Sequence, residues 1–387
     1  MSFFPERASC QPNGRLWPFR RFLSYRAGWR RSARLSWRVL LLLQVVVAAW
    51  ASAGRTDEPD MTRYRGSRRS MGVTWSVSLF AADAAEATAC VNAALDEVSR
   101  LEGVLSDYNP KSEICRLSQK SPTNQPSEVG PDLWQVLVQA VAFRDRSDGA
   151  FDPTIGPLTT LWRQARKSGR LPTDARLAAA RQAVGPKTLS LVQSERAVSL
   201  LRPGMRLDLG GIGMGYAIDR ALDVLRGRGI NVAMVDASGD IGVIGCPPGT
   251  MGWRIELDPL GRRDRDGKDG RKAATVIPLV DAAITTSGDA FQAVTIDGVR
   301  YSHIVDPRTG LGVVGPTGVT VIAPTATQAD ALATTLSVVG PKRGLPMVES
   351  TPGASARFVH LEDGKPAFTA SARWPIQSTH SAQNRTQ

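Results

Sequence analysis

The chain has 387 residues, of which 42% are hydrophobic and 22% charged, an ordinary balance for a globular protein with a buried core. Its formal net charge is +12, but residues 1–53 hold nine arginines and one acid, so +8 of that charge lies there. The remaining +4 argues against nucleic-acid binding. The four cysteines contain no Cys-x-x-Cys pair, which argues against a disulfide framework and a zinc site.

The N-terminal segment, residues 1–53, has the parts of a secretory signal. An arginine-rich region precedes a short apolar run at 39–50 and the small-residue site Ala51-Ser52-Ala53. The run is shorter than the roughly 20 apolar residues of a membrane-spanning helix. We therefore expect a periplasmic or exported protein, with an uncleaved anchor in the inner membrane as the alternative. The polar, aperiodic residues 54–69 are predicted to be a linker.

The folded part is predicted to cover residues 70–375, followed by a disordered polar tail over 376–387. A first strand is expected from Met71, and the apolar spacing over 83–105 predicts a long helix. The pattern then predicts helices over 132–146 and 171–183, a hairpin over 188–206, two strands joined by a turn over 231–244, and strands over 253–258 and 275–280.

The segment 207–220, LDLGGIGMGYAIDR, has glycines at 210, 211, 213 and 215. An apolar run before them and helical spacing after them predict a strand, a glycine turn and a helix start. Such a turn lets backbone N–H groups and a helix dipole approach a phosphate. The spacing matches neither a dinucleotide fingerprint nor a Walker A loop, so a phosphate cradle and a tight structural turn both remain open.

Two further stretches contain residues suited to catalysis. In QADALATTL (328–336) a helix is predicted with Thr327 as its cap, which places Asp330 and Thr334 on one face. A carboxylate and a hydroxyl suit magnesium, although a helix with one exposed acid has the same pattern. His303 precedes a turn in RYSHIVDPRTG, where neutral imidazole can accept a proton from a hydroxyl; a histidine bonded to its own turn is the alternative.

Seven motifs follow one another along residues 70–345: SDYNPKSEICRLS, GAFDPTIGPLTTLW, LDLGGIGMGYAIDRA, DASGDIGVIG, ITTSGDAFQ, YSHIVDPRTG and ADALATTL. In this order and at these distances they resemble the ApbE-type FAD:protein FMN transferases. The resemblance implies an α+β fold of mixed sheets and packed helices, with FAD bound between two lobes. It also implies magnesium-dependent transfer of FMN from FAD to a threonine or serine of an exported or membrane flavoprotein, with release of AMP.

Carried onto this chain, the resemblance implies a set of site residues. The backbone carbonyl of Gly211, together with Asp330 and Thr334, would hold magnesium, and His303 would accept the proton of the incoming hydroxyl. The residues expected to contact FAD are Met71, Tyr108, Ala150, Phe151, Asp152, Asp208, Met214 and Ile304.

Met214 departs from the family pattern, since many members have lysine or glutamate at this position. The departure removes a charged contact with the cofactor. A non-catalytic FAD-binding carrier therefore remains an alternative. A second alternative to the transferase is an FAD pyrophosphatase, which forms FMN and AMP with water as the nucleophile.

Overall fold

An antiparallel sheet of eight strands lies at the centre of the fold. The computed structural model describes residues 61–257, 275–288, 293–314, 318–362 and 365–375, all within the unit Pro59–Gln387. The predicted export segment, 1–53, and the predicted tail, 376–387, lie outside the described residues. No helix in the described part of the chain is both long and apolar enough to cross a membrane.

The helices are α1 (Ala84–Leu105), α2 (Glu113–Gln119), α3 (Pro131–Arg146), α4 (Gly156–Ser168), α5 (Asp174–Arg181), α6 (Gly213–Gly227) and α7 (Ala326–Glu349). The strands are β1 (Thr62–Ser70), β2 (Val73–Ala81), β3 (Ser127–Glu128), β4 (Leu189–Val192), β5 (Ala197–Leu200), β6 (Ala233–Ala237), β7 (Asp240–Ile244), β8 (Trp253–Leu257), β9 (Thr275–Leu279), β10 (Ala283–Gly288), β11 (Val294–Ile296), β12 (Val299–Val305), β13 (Gly312–Val314), β14 (Gly318–Ala323), β15 (Ser355–Glu362) and β16 (Lys365–Ala370).

The large sheet has the order β1-β2-β6-β7-β10-β14-β15-β16. Three smaller sheets have the orders β11-β12-β13, β3-β5-β4 and β8-β9. Helices and antiparallel sheets are thus combined in one unit, which confirms the predicted α+β class.

The long helix predicted over 83–105 is present as α1. The side chain of Asp83 caps it by accepting a hydrogen bond of 2.7 Å from the backbone N–H of Glu86. Its apolar positions, among them Val91 and Leu95, are buried against β1 and β2. Helical spacing in the sequence therefore located both the element and its buried face.

The predicted linker over 54–69 is wrong for its second half, because Thr62–Ser70 forms β1 and pairs with β2 along its whole length. The sequence signal was weak since the strand is basic and lacks an apolar face. Arg63 and Arg65 lie on one side of the strand and donate to serines of β2, while Gly66 on the other side packs against Val91. A charged edge strand of this kind also discourages pairing with other chains.

The strand predicted from Met71 begins instead at Val73. Met71 and Gly72 form the two-residue turn between β1 and β2, with φ of 47° and 80°. Two consecutive residues with positive φ suit the twist of a tight hairpin, and glycine at the second position keeps its cost low.

The core has two layers, one on each face of the large sheet. Helices α1, α6 and α7 pack on one face and on each other, as α1 contacts α6 and α6 contacts α7. The hairpin β8-β9 covers part of the other face with its own apolar cluster, which includes Trp253 and Ile277. The contact between α6 and α7 is the one that forms the candidate site.

Candidate functional site

The three residues predicted to hold a cation meet where α6 begins. Gly211 lies against Thr334 so closely that a Cβ atom on the glycine would be 2.8 Å from the threonine Oγ1. The backbone N–H of Gly215 donates a hydrogen bond of 3.0 Å to Oδ2 of Asp330. The loop before α6 and the first turns of α7 therefore bring Gly211, Asp330 and Thr334 together.

The segment before α6 differs from its prediction, since residues 207–211 form no strand. Their backbone groups bond to neighbouring loops: the N–H of Leu207 donates to the Ser118 hydroxyl, and that of Asp208 donates to the carbonyl of Pro153. The N–H of Gly210 in this loop donates to the Asp208 carboxylate, and that of Gly215, in the first turn of α6, donates to the Asp330 carboxylate. For Gly210 the structure shows a tight structural turn.

The start of α7 is fixed by α6. Thr325 caps α7 by accepting from the backbone N–H of Gln328, so the prediction that Thr327 is the cap was wrong. The Asp219 carboxylate on α6 instead accepts hydrogen bonds from the backbone N–H groups of Ala326 and Thr327 and from the Thr327 hydroxyl. A carboxylate at a helix N-terminus is favourable, and here it also sets the position of Asp330, one turn further along.

The contact between α6 and α7 requires a glycine at position 215. A Cβ atom there would lie 2.2 Å from the carbonyl oxygen of Ala326. We expect Gly215→Ala to lower the free energy of unfolding by about 3 kcal/mol, since backbone atoms of α7 would have to move. Urea denaturation measures the change. Gly227→Ala on the same helix is the matched control, because a Cβ atom there meets nothing within 4 Å, and it should cost no stability.

The Asp330 carboxylate is buried beside a second carboxylate, that of Asp240, and no basic side chain of the described residues acts on it. It is 4% exposed, and burial raises its pKa well above the usual range, with the neighbouring Asp240 carboxylate as the next largest cause. Burial likewise raises the pKa of Asp240, to about 7. No basic side chain of the described residues is among the groups that shift either pKa. Such carboxylates are costly unless a cation or a proton neutralises them.

The donor set fits magnesium. Gly211 offers a backbone carbonyl, Asp330 a carboxylate and Thr334 a hydroxyl, all hard oxygen ligands. Within the described residues no group of three or more His, Cys, Asp or Glu side chains is placed to hold a metal ion. A cation here would accordingly need backbone, hydroxyl, water or substrate oxygens as well, which is the usual pattern for magnesium.

A second cluster is centred on Arg163 of α4. Its guanidinium donates to Oδ2 of Asp107 at 2.6 Å and to Oδ2 of Asp208 at 3.2 Å. The same group lies 4.2 Å from the ring centroid of Tyr108, whose side chain is 74% exposed. The Thr159 hydroxyl also donates to Asp208. Two predicted FAD contacts, Tyr108 and Asp208, are thus joined through a residue that the sequence did not single out.

Arg163 should therefore control the shape of this cluster. We expect Arg163→Met to lower the free energy of unfolding by about 2–4 kcal/mol, because two buried carboxylates lose their partner. FAD binding should weaken as well, since Tyr108 loses the cation that holds its ring. Thermal denaturation and titration of FAD fluorescence measure the two effects. Lys167→Met, at an exposed position of α4, is the control and should change neither.

The Ala150-Phe151-Asp152 segment lies in a buried turn before α4. Ala150 packs in one small cluster with Ile304 of β12 and Val338 of α7, which places the segment beside α7. The Phe151 ring packs against Phe143, with centroids 6.1 Å apart.

The Asp152 carboxylate, which lies in the same turn, accepts from both the N–H and the hydroxyl of Thr154. Ala150 and Ile304 are therefore in contact, whereas the Phe151 side chain packs on Phe143 and the Asp152 carboxylate bonds to Thr154.

His303 lies on β12, between the buried residues Ser302 and Ile304. Trp162 of α4 donates to the carbonyl of Ser302 at 3.0 Å, which fixes this strand against α4. The following turn is closed by a hydrogen bond from the N–H of Gly310 to the carbonyl of Asp306. The His303 imidazole is half-buried and interacts with other groups of the protein. Strand β12 also contacts α7, the helix of Asp330.

The last two predicted contacts lie at different places. Met214 is half-buried in the first turn of α6, next to Gly215. Met71 lies in the β1-β2 turn, at the same end of the sheet as Asp240, because Trp75 pairs with Ala237 and Ala237 pairs with Asp240.

Comparison with known proteins identifies the family. A family model described as the ApbE family matches residues 71–358. The chain belongs to the ApbE family. The FAD:protein FMN transferase of Treponema pallidum is 30% identical over 343 residues, which cover 85% of this chain and 92% of that protein. The enzyme of the same name from Vibrio cholerae is 31% identical over 316 residues, with 80% and 91% covered.

Solved structures of the ApbE family share the fold. The flavin transferase ApbE from Vibrio cholerae matches with a TM-score of 0.70 and 29% identity, covering 81% of this chain and 98% of that one. The ApbE protein from Thermotoga maritima matches with a TM-score of 0.69 and 30% identity, covering 80% and 97%. The chain is thus a transferase with the α+β architecture of this family, as the motifs predicted.

Three residues that shape the site were not among the predicted contacts: Arg163, Asp219 and Asp240. Arg163 and Asp219 gave no signal, since each is a charged residue in a helical pattern. Asp240 is the last residue of the Ser-Gly-Asp turn in one of the motifs, and its place in that motif could have identified it as a residue of the site. Their roles depend on contacts between segments that are distant in sequence.

Proposed function

We propose that this protein is a magnesium-dependent FAD:protein FMN transferase, which attaches FMN through a phosphoester bond to a threonine or serine hydroxyl of a flavoprotein and releases AMP. The observation that carries the proposal is the buried oxygen cluster of Gly211, Asp330 and Thr334, whose carboxylate has no basic partner among the described residues. The family supports the choice of FAD as the substrate, since its relatives are named FAD:protein FMN transferases.

The reaction exchanges the phosphoanhydride bond within FAD for a phosphoester bond to the acceptor. The acceptor hydroxyl oxygen forms a bond to the phosphorus of the FMN half of FAD, and the bond from that phosphorus to the bridging oxygen breaks. AMP leaves with the bridging oxygen, and the hydroxyl proton passes to a base. When bound, magnesium would neutralise the charge on the pyrophosphate oxygens.

His303 is the base in this proposal. An imidazole is suited to accept a proton near neutral pH, and such a group contributes about 10²–10⁴-fold to a rate. β12 holds His303 between two buried residues and packs against α7, so the base is carried by a strand in contact with the helix of Asp330. This arrangement supports a fixed distance between base and cation site.

Tyr108, Asp208 and Arg163 orient FAD in the same proposal. The exposed face of Tyr108 offers a stacking surface for a planar ring, and Arg163 holds the phenol ring from its other side. Asp208 is held by Arg163, Thr159 and the N–H of Gly210, so its position is set before a ligand arrives. Preorganised contacts of this kind reduce the entropy lost on binding.

The test is flavin transfer to a defined acceptor. The full chain is incubated with FAD, MgCl₂ and an acceptor flavoprotein, and the acceptor band is examined for flavin fluorescence after denaturing electrophoresis. We expect a fluorescent band that disappears when the acceptor threonine is replaced by alanine. Absence of a band with FAD intact would reject the transferase. Release of AMP at the full rate without acceptor would instead indicate an FAD pyrophosphatase, and tight FAD binding without turnover would indicate a carrier.

We also propose that the protein acts outside the cytoplasm, on an exported or membrane flavoprotein. The basic and apolar composition of residues 1–53 supports this location. Cell fractionation with a C-terminal tag tests the location, and the intact mass of the recovered chain shows whether the segment is removed. Recovery from the cytoplasm alone would contradict the proposal.

A further inference from the structure

Asp240 lies on the helix-facing side of the large sheet, close to Asp330. Gly242 is two residues further along β7 and so faces the same side. A Cβ atom on Gly242 would meet Ile218 of α6 at 2.6 Å and Ala326 of α7 at 3.9 Å. Ala326 opens the helix whose next turn carries Asp330. Strand and helix therefore place the two carboxylates beside each other.

The two carboxylates form a local excess of negative charge. Both are buried, with 9% exposure for Asp240 and 4% for Asp330. Helix α7, which carries Asp330, contacts both β7 and the neighbouring strand β10. Two adjacent carboxylates without a basic side chain are unfavourable unless something positive is bound between or beside them.

A buried hydroxyl also lies at this place with its bonding capacity unfilled. Because Ala283 pairs with Gly242 and Ile284 with Ile241, the register brings Thr285 next to Asp240. Thr285 is 2% exposed, yet its Oγ1 makes no hydrogen bond of good geometry with any described group. Buried hydroxyls are almost always satisfied, so an unsatisfied one beside two carboxylates points to a ligand or its bound water.

We propose that Asp240 is a second acidic group of the magnesium site and acts with Asp330 to hold the cation, with the Thr285 hydroxyl binding a water of its hydration shell. Magnesium keeps several waters and is held by one or two carboxylates together with substrate oxygens, which matches this set of donors. The inference rests on the proposed function and adds residues of β7 and β10 to a site otherwise formed by the α6 loop and α7.

A purely structural role for Asp240 predicts a different outcome. Asp240 lies where β7 pairs with β10, and its carboxylate could serve only to fasten the two strands together. Asparagine keeps an acceptor oxygen and removes the charge, so Asp240→Asn separates the two roles. Asp236→Asn is the matched control, because Asp236 precedes the same turn and its carboxylate accepts from the N–H of Gly239.

The experiment titrates MgCl₂ into the full chain with FAD present, by calorimetry, and measures the midpoint of thermal unfolding without metal. For Asp240→Asn we expect the magnesium Kd to rise at least about tenfold, the usual scale for groups that support a metal site. The unfolding midpoint without metal should be unchanged or higher, since a buried charge is gone. Asp236→Asn should leave the Kd unchanged.

A Kd for Asp240→Asn within about twofold of the wild-type value, or a lower midpoint with unchanged Kd, would overturn the inference. If Asp240→Asn does not fold, Thr285→Val is used, and it should also weaken magnesium binding; an unchanged Kd would again overturn the inference. Flavin transfer by the wild-type chain is measured in parallel. If the wild-type chain transfers FMN with magnesium and the magnesium Kd of Asp240→Asn is unchanged, only the role of Asp240 is rejected. If the wild-type chain binds no magnesium, the proposed cation site is rejected as well.

Discussion

Replacing Asp330 with asparagine is expected to lower the rate of FMN transfer by at least about 10²-fold, the scale of losing one electrostatic stabiliser of a transition state. The asparagine side chain would still offer an oxygen to the N–H of Gly215, which now donates to Oδ2 of Asp330 at 3.0 Å. The fold should therefore survive while the charge that attracts magnesium is lost. Initial rates of acceptor labelling at several magnesium concentrations measure the effect.

Thermal stability separates this loss from misfolding. Because the Asp330 carboxylate is buried without a basic partner among the described residues, the Asp330→Asn protein without metal should be as stable as the wild type or more so. Asp223→Asn is the control, since Asp223 lies on α6 and forms exposed ion pairs with Arg220 and Arg226. Full activity in Asp330→Asn, or equal losses in both variants, would show that Asp330 does not hold the catalytic cation.

Replacing His303 with alanine is expected to lower transfer by about 10²–10⁴-fold, the range for loss of a general base. FAD affinity should change little, because the proposed role of His303 concerns the acceptor hydroxyl. Single-turnover labelling measures transfer, and FAD fluorescence titration measures affinity. His360→Ala on β15 is the control and should remain active. A loss of FAD affinity with transfer unchanged at saturating FAD would assign His303 to cofactor binding instead.

The sequence located elements where local patterns are strong. Helix α1 followed from its apolar spacing, and the β6-β7 turn followed from Ser238-Gly239-Asp240. Strand β1 was missed because a basic edge strand buries little apolar surface, so its pairing with β2 depends on the sheet. The strand expected over 207–209 is absent, because the backbone N–H groups of this segment bond to Ser118 and Pro153 and not to a neighbouring strand. Local sequence patterns do not reveal such long-range partners.

In the candidate site, too, the sequence indicated some residues, whereas the contacts that hold them in place appear only in the folded chain. Resemblance to a family named Gly211, Asp330 and Thr334, and the structure brings these three together. What holds them there depends on tertiary contacts: Asp219 joins α6 to the start of α7, and Gly215 lets the two helices touch. A single charged residue or glycine in a helical pattern has many ordinary explanations, so only the folded chain reveals its partner.

The most direct test of the account is the intact mass of an acceptor flavoprotein after incubation with the wild-type chain and FAD, with magnesium and with a chelator in its place. We predict that the acceptor gains the mass of one FMN phosphoester on its threonine only when magnesium is present, with one AMP released per acceptor labelled. Equal labelling in the chelator, or AMP release without any gain in acceptor mass, would contradict a magnesium-dependent FMN transferase built on Gly211, Asp330 and Thr334.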